Sequence, residues 1–447
     1  MSPSAATSPV QDLKALERRY SLVLALGWFA TILPGAVIVL YAQSRGLSLA
    51  GIGLYGAVYA VTAALLELPT GNLADEVGRK RVALWSYGLS ALAQLVLLFA
   101  FSLPVFLVYA VLAGLARALG SGALEAWFIS SLKALDPEIN LQPPLARVNT
   151  VELLALGLGS LGGAGLAAGL TVVAPDGLWG QSPLAAAILA ALLVHLLTLG
   201  VAWKVIREPA RPHRSVAASL RAGVLGLPTA LRDAGQAIRV SRLLPWLLGL
   251  EVLTGLMLAA SETYWQPFFS GRFGLSGTAT VIFGVLLAGC FLAGMLGNLC
   301  ATPLLRVFGQ SASRLGVVTQ IAQAGALLVL AWQSSVWLAA GLLWLTYFSR
   351  SAFSSSFTAL YNGEVAEGRR SLMLSVLSVA VFVGFSVGNV TLGLISTRWS
   401  ISWAWTLVAG VLLLSLPAFS KLRQTPSVQA DLPRSPERRG GGQGSEH

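Results

Sequence analysis

Charge is scarce in this sequence. Only 11% of its 447 residues are Asp, Glu, Lys or Arg, against about 25% in a soluble domain. That scarcity, with 55% hydrophobic residues and a mean hydropathy of +0.73, excludes a soluble globular chain. Cysteine is almost missing. Cys290 and Cys300 share one apolar stretch, so there is no disulfide framework and no thiolate metal spacing. Histidine occurs three times, at 195, 213 and 447, too dispersed for the clustered base or metal geometry of an intramembrane enzyme. No GxxxxGK loop occurs, so ATP hydrolysis by this chain has no support.

Long apolar runs fill the space that charge leaves. Twelve are expected as membrane spans: roughly 20–43, 49–73, 81–102, 104–132, 146–173, 182–204, 243–269, 277–304, 314–333, 335–361, 371–396 and 399–420. Each approaches the ~20 residues of one crossing. Hydrocarbon leaves unpaired backbone groups unsatisfied, so spans are helices or closed barrels. Barrel strands alternate apolar and polar residues. These runs do not, so the fold class is an all-α membrane protein. The first run is longer than a signal-peptide core and is expected to be a retained helix.

The basic residues give an orientation. With the N-terminus inside, 25 of the 30 Lys and Arg fall in cytoplasmic segments. Arg45, Arg272 and Arg398 fall outside, and Arg117 and Arg350 lie within spans. This bias predicts both termini in the cytoplasm and the plasma (inner) membrane as location. It also accounts for the net charge of +11 by contact with anionic lipid, without nucleic acid. The boundaries expected are a cytoplasmic N-terminus over 1–19, one six-helix bundle over 20–206, a cytoplasmic linker over 207–241, a second bundle over 242–422 and a disordered tail over 423–447. Within the linker, Val216, Leu220, Leu227 and Leu231 suggest a short helix on the membrane surface.

Two features repeat across the halves. Gly71-Asn72-Leu73 and Gly297-Asn298-Leu299 are 226 positions apart, and Arg117 and Arg350 are 233 apart. Both pairs occupy matched topological positions. Duplicated six-helix halves form a transporter architecture with its site at the interface near midplane. The densest charge sits between spans two and three, in ELPTGNLADEVGRKR at 67–81. Gly71 and Gly78 permit close approach and a tight turn. Asp75 is suited to a helix N-terminus, in a contact that forms in one conformation and breaks in another. Gly71, Asp75, Gly78, Arg79 and Lys80 are therefore expected to form a conformational latch. The alternative for Arg79, Lys80 and Arg81 is anchoring to headgroups.

GNLADEVGRK resembles the loop between helices two and three of the major facilitator superfamily, through Gly71, Leu73, Ala74, Asp75, Gly78, Arg79 and Lys80. Glu76 stands where relatives often have a basic residue. LARALGSG in span four is similar to the family's second motif through Leu115, Arg117 and Gly122. ELPTG, WQPFF at 265–269 and YNGEVAEGRRSLMLSV at 361–376 resemble bacterial, efflux-like members. The resemblance runs from about Tyr20 to 420. Span five is rich in glycine but lacks the Gly-Pro of many drug–proton antiporters. The resemblance implies two pseudo-symmetric six-helix bundles, alternating access, no cofactor and a working monomer.

Ionisable groups inside spans are costly and become functional candidates. Glu67, Arg117, Glu125, Glu152, Glu251 and Arg350 are the candidates for proton coupling or cavity charge. Glu67, Glu125 or Glu152 is expected to partner Arg117, as a titrating group or as a fixed ion pair. Glu251 and Glu262 share one face of span seven about 16 Å apart, with Glu251 in the inner half and Glu262 expected in outside water. His195, on a peripheral helix, is expected to pack against a neighbour. Trp28, Phe29, Trp265, Gln266, Trp344 and Tyr347 are the candidates for the substrate cavity, since rings with polar tips suit amphipathic ligands and cations. The expectation is a secondary active transporter for a small molecule, coupled to protons and exporting amphipathic compounds. The alternatives are proton-coupled uptake of a sugar or organic acid and, from another class, an intramembrane enzyme.

Overall fold

The computed structural model describes residues 9–70, 73–120, 122–177, 180–208, 216–366 and 369–422. Among the described residues the chain is helical, with no strand. Among the described residues ten helices are long and apolar enough to cross a membrane, and one bent pair makes an eleventh. Twelve were expected. The remaining one is Val336–Glu364, which holds Arg350 and the Ser354–Ser356 run and so is less apolar than its neighbours. Its 29 residues reach roughly 44 Å at 1.5 Å per residue, and it packs between the helices Val281–Val307 and Ala312–Trp332. It therefore occupies the place of span 10.

Span 1 runs over Pro9–Ile32, turns through the 3₁₀ segment Leu33–Ala36 and resumes at Ile38–Ser44, bent by 45°. Pro34 lacks an N–H and cannot continue an α-helix ladder, which accounts for the break. Spans 2 and 3 are Leu49–Thr70 and Arg79–Leu98, with a short helix Leu73–Val77 between them. Span 4 is Leu103–Gly120 with Ala123–Leu135. Gly122, at φ +74°, supplies the left-handed residue between its two pieces. Spans 5 and 6 are Gln142–Val173 and Ala185–Val205. Span 7 is Leu244–Leu258, a π-helical turn Ala259–Thr263 and Trp265–Phe273. Spans 8 and 9 are Val281–Val307 and Ala312–Trp332, span 11 is Arg370–Arg398, and span 12 is Ile401–Leu414.

The linker differs from expectation. It holds a 25-residue helix, Val216–Val240, rather than a short one. Ala234, Ala237 and Ile238 pack into the core below it, while Val216 and Leu231 are exposed. The packed side of the helix thus lies further along the chain than the expected stripe. The expected tail, 423–447, lies outside the described residues.

The two halves meet along spans 2 and 11 and along spans 5 and 8. Glycines permit the first approach: a Cβ at Gly56 would stand 2.9 Å from Asn389 Oδ1. At the end remote from the chain termini, one core joins both halves. Ala36, Val37, Ala164 and Ala167 pack there with Trp265, Phe268, Phe269 and Phe283. At the termini end the cores are separate. One gathers Tyr20, Trp127, Phe128 and Val148 of the first half, and another gathers Leu244, Phe357, Tyr361 and Phe419 of the second. Hydrophobic contact therefore seals the far end and leaves the termini end divided.

Candidate functional site

A cavity of about 560 Å³ opens inside the first half. Span 1 contributes Tyr20 and Trp28, span 2 Tyr59 and span 4 Arg117 and Glu125. Spans 5 and 6 add Asn149, Glu152 and His195. Span 3 presents Ser86, Ser90 and Gln94, four residues apart and therefore on one helix face. The cavity extends toward the termini end past Leu145 and Asn149, at the start of span 5. At its other end Tyr59 and Tyr109 pack against a core of the first half around Tyr55, Phe106 and Ile188.

Arg117 is exposed to this space. Tyr59, Glu67 and Glu152 lie within its electrostatic reach. Glu125 couples instead to Glu152 and Tyr20. Among the described residues no carboxylate lies within 4.0 Å of Arg117 or Arg350. The expected fixed ion pair is therefore not formed. Glu67 accepts a hydrogen bond from Ser378 Oγ at 2.9 Å, which joins span 2 to span 11.

The second half has a related cluster. Arg350 on span 10 interacts with Glu251 and Glu262 of span 7 and with Tyr347. Glu262 lies in the π-helical turn of span 7 and is exposed to solvent. It is close enough to influence Tyr59, Cys290 and Tyr347. The π turn displaces the helix register at this point, a local irregularity that concentrates at functional sites. Tyr59 connects the clusters, since it feels both Arg117 and Glu262.

Four expected cavity residues lie elsewhere. Phe29 faces span 5, beside Gly162, and borders an outer groove. Trp265 is 2% exposed and packs on Phe269 and Phe283. Trp344 lies against Gly289 and donates its indole N–H to the Leu286 carbonyl at 3.0 Å. Gln266, 1% exposed, bridges the halves. Its Oε1 accepts from Val39 N–H at 3.1 Å, and its Nε2 donates to the Gly35 carbonyl at 2.7 Å. These are backbone groups freed by the break in span 1. Packing in the core that joins the halves takes up the rings of Trp265 and Trp344. Trp28 does line the cavity.

The residues of the charged loop divide. Gly71 lies outside the described residues, and so does the side chain of Asp75, whose backbone belongs to Leu73–Val77. The anion seen at the N-terminus of span 3 is Glu208. Its carboxylate accepts from the N–H groups of Arg79 at 3.1 Å and Lys80 at 2.9 Å. Gly78, at φ +112°, leaves room for it: a Cβ there would stand 3.2 Å from Glu208 Oε2. Arg79 donates to the Ala126 carbonyl at 2.6 Å, and Lys80 Nζ to the Trp203 carbonyl at 2.6 Å. These contacts brace spans 3, 4 and 6 of one half. We expect Glu208→Ala to destabilise the protein by about 1–2 kcal/mol, through two lost charge-assisted bonds at a helix terminus. A lowered melting temperature, with Glu208→Gln in between, checks this.

Sequence reasoning passed over Tyr59 and the Ser86, Ser90, Gln94 face. The four-residue spacing of that face was a usable signal. It was hidden because serine on a helix also satisfies its own backbone. Glu208 carried no local signal, since its partners are 129 and 128 positions away.

The family model described as Major Facilitator Superfamily matches residues 20–363. No curated protein matches the chain. Solved structures resemble its fold. The nucleoside transporter NupG matches at TM-score 0.69 and 13% identity, over 92% of this chain and 100% of that one. A bacterial homologue of the iron transporter ferroportin, in an inward-facing state, matches at 0.69 and 17%, over 92% and 99%. A bacterial homologue of the human lysosomal transporter Spinster, inward-facing and occupied, matches at 0.69 and 13%, over 94% and 98%.

Proposed function

Because the chain belongs to the Major Facilitator Superfamily, and so is a multi-pass membrane transporter of a small molecule, we propose that it is a proton-coupled exporter. In this reading the termini end faces the cytoplasm, as the basic residues favour. It works as a monomer in the inner membrane, against anionic lipid. The observation that carries the reading is the cavity, which reaches the start of span 5 at the termini end and holds Arg117 with Glu125 and Glu152, while a core joins the two halves at the far end. Such a state loads its substrate from the termini side.

Proton coupling is supported by carboxylates at span depth. Glu67, Glu152, Glu251 and Glu262 lie near a guanidinium without an ion pair within 4.0 Å. Each thus has a state to gain by binding a proton when the arginine moves or a substrate arrives. Alternating access then exchanges substrate for protons as the bundles rock. Gly71, Asp75, Gly78, Arg79 and Lys80 are the proposed latch, set beside the contacts of Arg79 and Lys80 that brace the first half.

The test uses proteoliposomes with an acidic interior, oriented with the termini end outward. Substrates from a panel of organic cations, neutral solutes and small acids are added outside. We expect substrate-evoked proton release that protein-free liposomes do not show. Accumulation driven only by the inwardly directed substrate gradient, with no proton movement for any transported compound, would refute the coupling.

A further inference from the structure

We propose that the outer groove between spans 3 and 6 docks an anionic phospholipid, with an acyl chain along the groove and the phosphate among Arg81, Lys204 and Arg207. This goes beyond the transport reading and does not depend on what is carried.

The groove encloses about 630 Å³ and is lined by apolar residues. Trp85, Gly88 and Leu92 line it from span 3, Leu119 from span 4, and Leu199 and Trp203 from span 6. A Cβ at Gly88 would meet no atom within 4 Å, so the missing side chain leaves a hollow in the wall. Trp85 is 38% exposed and Trp203 69%. Both lie toward the termini end, Trp85 in the second turn of span 3 and Trp203 in the last turn of span 6. Lys80 Nζ donates to the Trp203 carbonyl at 2.6 Å, which holds the two helix ends side by side. Exposed tryptophans at one end of an apolar groove mark the headgroup level.

Cations stand at that same end. Arg81 is four residues before Trp85 and so shares its face of span 3. Lys204 and Arg207 follow Trp203. Arg207 is fixed close to the start of span 3: Trp127 Nε1 donates to its carbonyl at 3.0 Å, and the next residue, Glu208, accepts from the Arg79 and Lys80 N–H groups. All three cations are exposed, and among the described residues none has a carboxylate within 4.0 Å. The carboxylate of Glu208 is engaged by the backbone, so the rim keeps a net positive charge. A zwitterionic lipid would bring an ammonium group that this rim repels. A soluble phosphate would meet the cations but make no use of the groove. An anionic phospholipid satisfies both.

The experiment follows lipid binding by melting the purified full-length protein in detergent. Dioleoyl phosphatidylglycerol, dioleoyl phosphatidylcholine and soluble glycerol phosphate are compared at equal concentration. Phosphatidylglycerol is expected to raise the melting temperature by several degrees, through binding to the folded state, and the other two to raise it less. Arg81→Gln and Arg207→Gln are each expected to weaken phosphatidylglycerol binding ~5-fold, the worth of one basic residue beside an anionic headgroup. Gly88→Leu fills the hollow and is expected to weaken binding ~3-fold or more, through lost chain contacts. Without lipid this variant should melt at or above the wild-type temperature, because leucine is the better helix former. Arg314→Gln, which removes an exposed cation at the start of span 9 in the other half, should leave binding unchanged. Equal stabilisation by phosphatidylcholine or by glycerol phosphate overturns the site. Undiminished binding by the two arginine variants, or by folded Gly88→Leu, does the same. So does a loss in Arg314→Gln as large as in Arg81→Gln, since the attraction would then be diffuse. If Gly88→Leu fails to fold, the exposed arginine positions decide the test.

Discussion

Arg117→Ala is expected to reduce proton-coupled transport by at least ~10-fold while the protein stays folded. The guanidinium acts on both Glu67 and Glu152, and it influences Tyr59, which in turn feels Glu262 of the other half. Removing one partner of a desolvated charged group costs ~3–5 kcal/mol, or ~100-fold and more in rate. Arg117 faces an open cavity, so water offsets part of that loss, and the expected effect is smaller. Arg117→Lys keeps the charge but loses the planar fork, and it should recover part of the activity. Substrate-evoked proton release, measured beside the melting temperature, checks both variants. Wild-type release from Arg117→Ala would remove this residue from the coupling mechanism.

Gln266→Leu should shift the protein toward a state open at the far end. Its amide joins span 7 to the broken part of span 1 through the Gly35 carbonyl and the Val39 N–H. In the sealed state a leucine leaves both backbone groups buried without partners, at ~1–3 kcal/mol each. In an open state water reaches them. Taking ~2–4 kcal/mol as the combined difference, the equilibrium moves ~30- to 1000-fold toward opening. Spin labels at Ser44 and Ser276, which are exposed at the far ends of spans 1 and 8, report this as a longer distance. An unchanged distance distribution would show that the aromatic core alone holds this end closed. Transport should also fall, because the cycle then stalls on one side.

Glu208 marks one limit of what the loop motif predicts. A motif names the residues at a turn but not the group that comes to meet them. Glu208 meets the N-terminus of span 3 only because span 6 ends beside it. Glu262 marks another limit. A carboxylate eleven residues beyond Glu251 looks as though it should reach the outer surface on a straight helix. The π turn at Ala259–Thr263 and the following helix Trp265–Phe273 continue the span past Glu262, which comes close enough to influence Tyr59 and Tyr347. Trp265 and Gln266 stand out in the sequence as cavity residues and prove to be packing and bridging groups, because a ring suits a cavity and a core equally well.

What the sequence determined by itself was the medium and the architecture. Hydrocarbon excludes unpaired backbone, so continuous apolar runs had to become helices. The scarcity of charge made Arg117, Arg350 and the intramembrane glutamates conspicuous, because each carries a desolvation cost that random placement would not tolerate. The tertiary structure decided which side chains share a space. It opened the cavity within one bundle, turned Phe29 and Trp344 away from it, and put Tyr59 between the two arginine clusters. It also chose the far end as the sealed one. Those outcomes depend on helix rotation, on breaks at Pro34 and Gly122, and on contacts between residues hundreds of positions apart. A local pattern fixes the face of a helix, but only packing decides what that face meets.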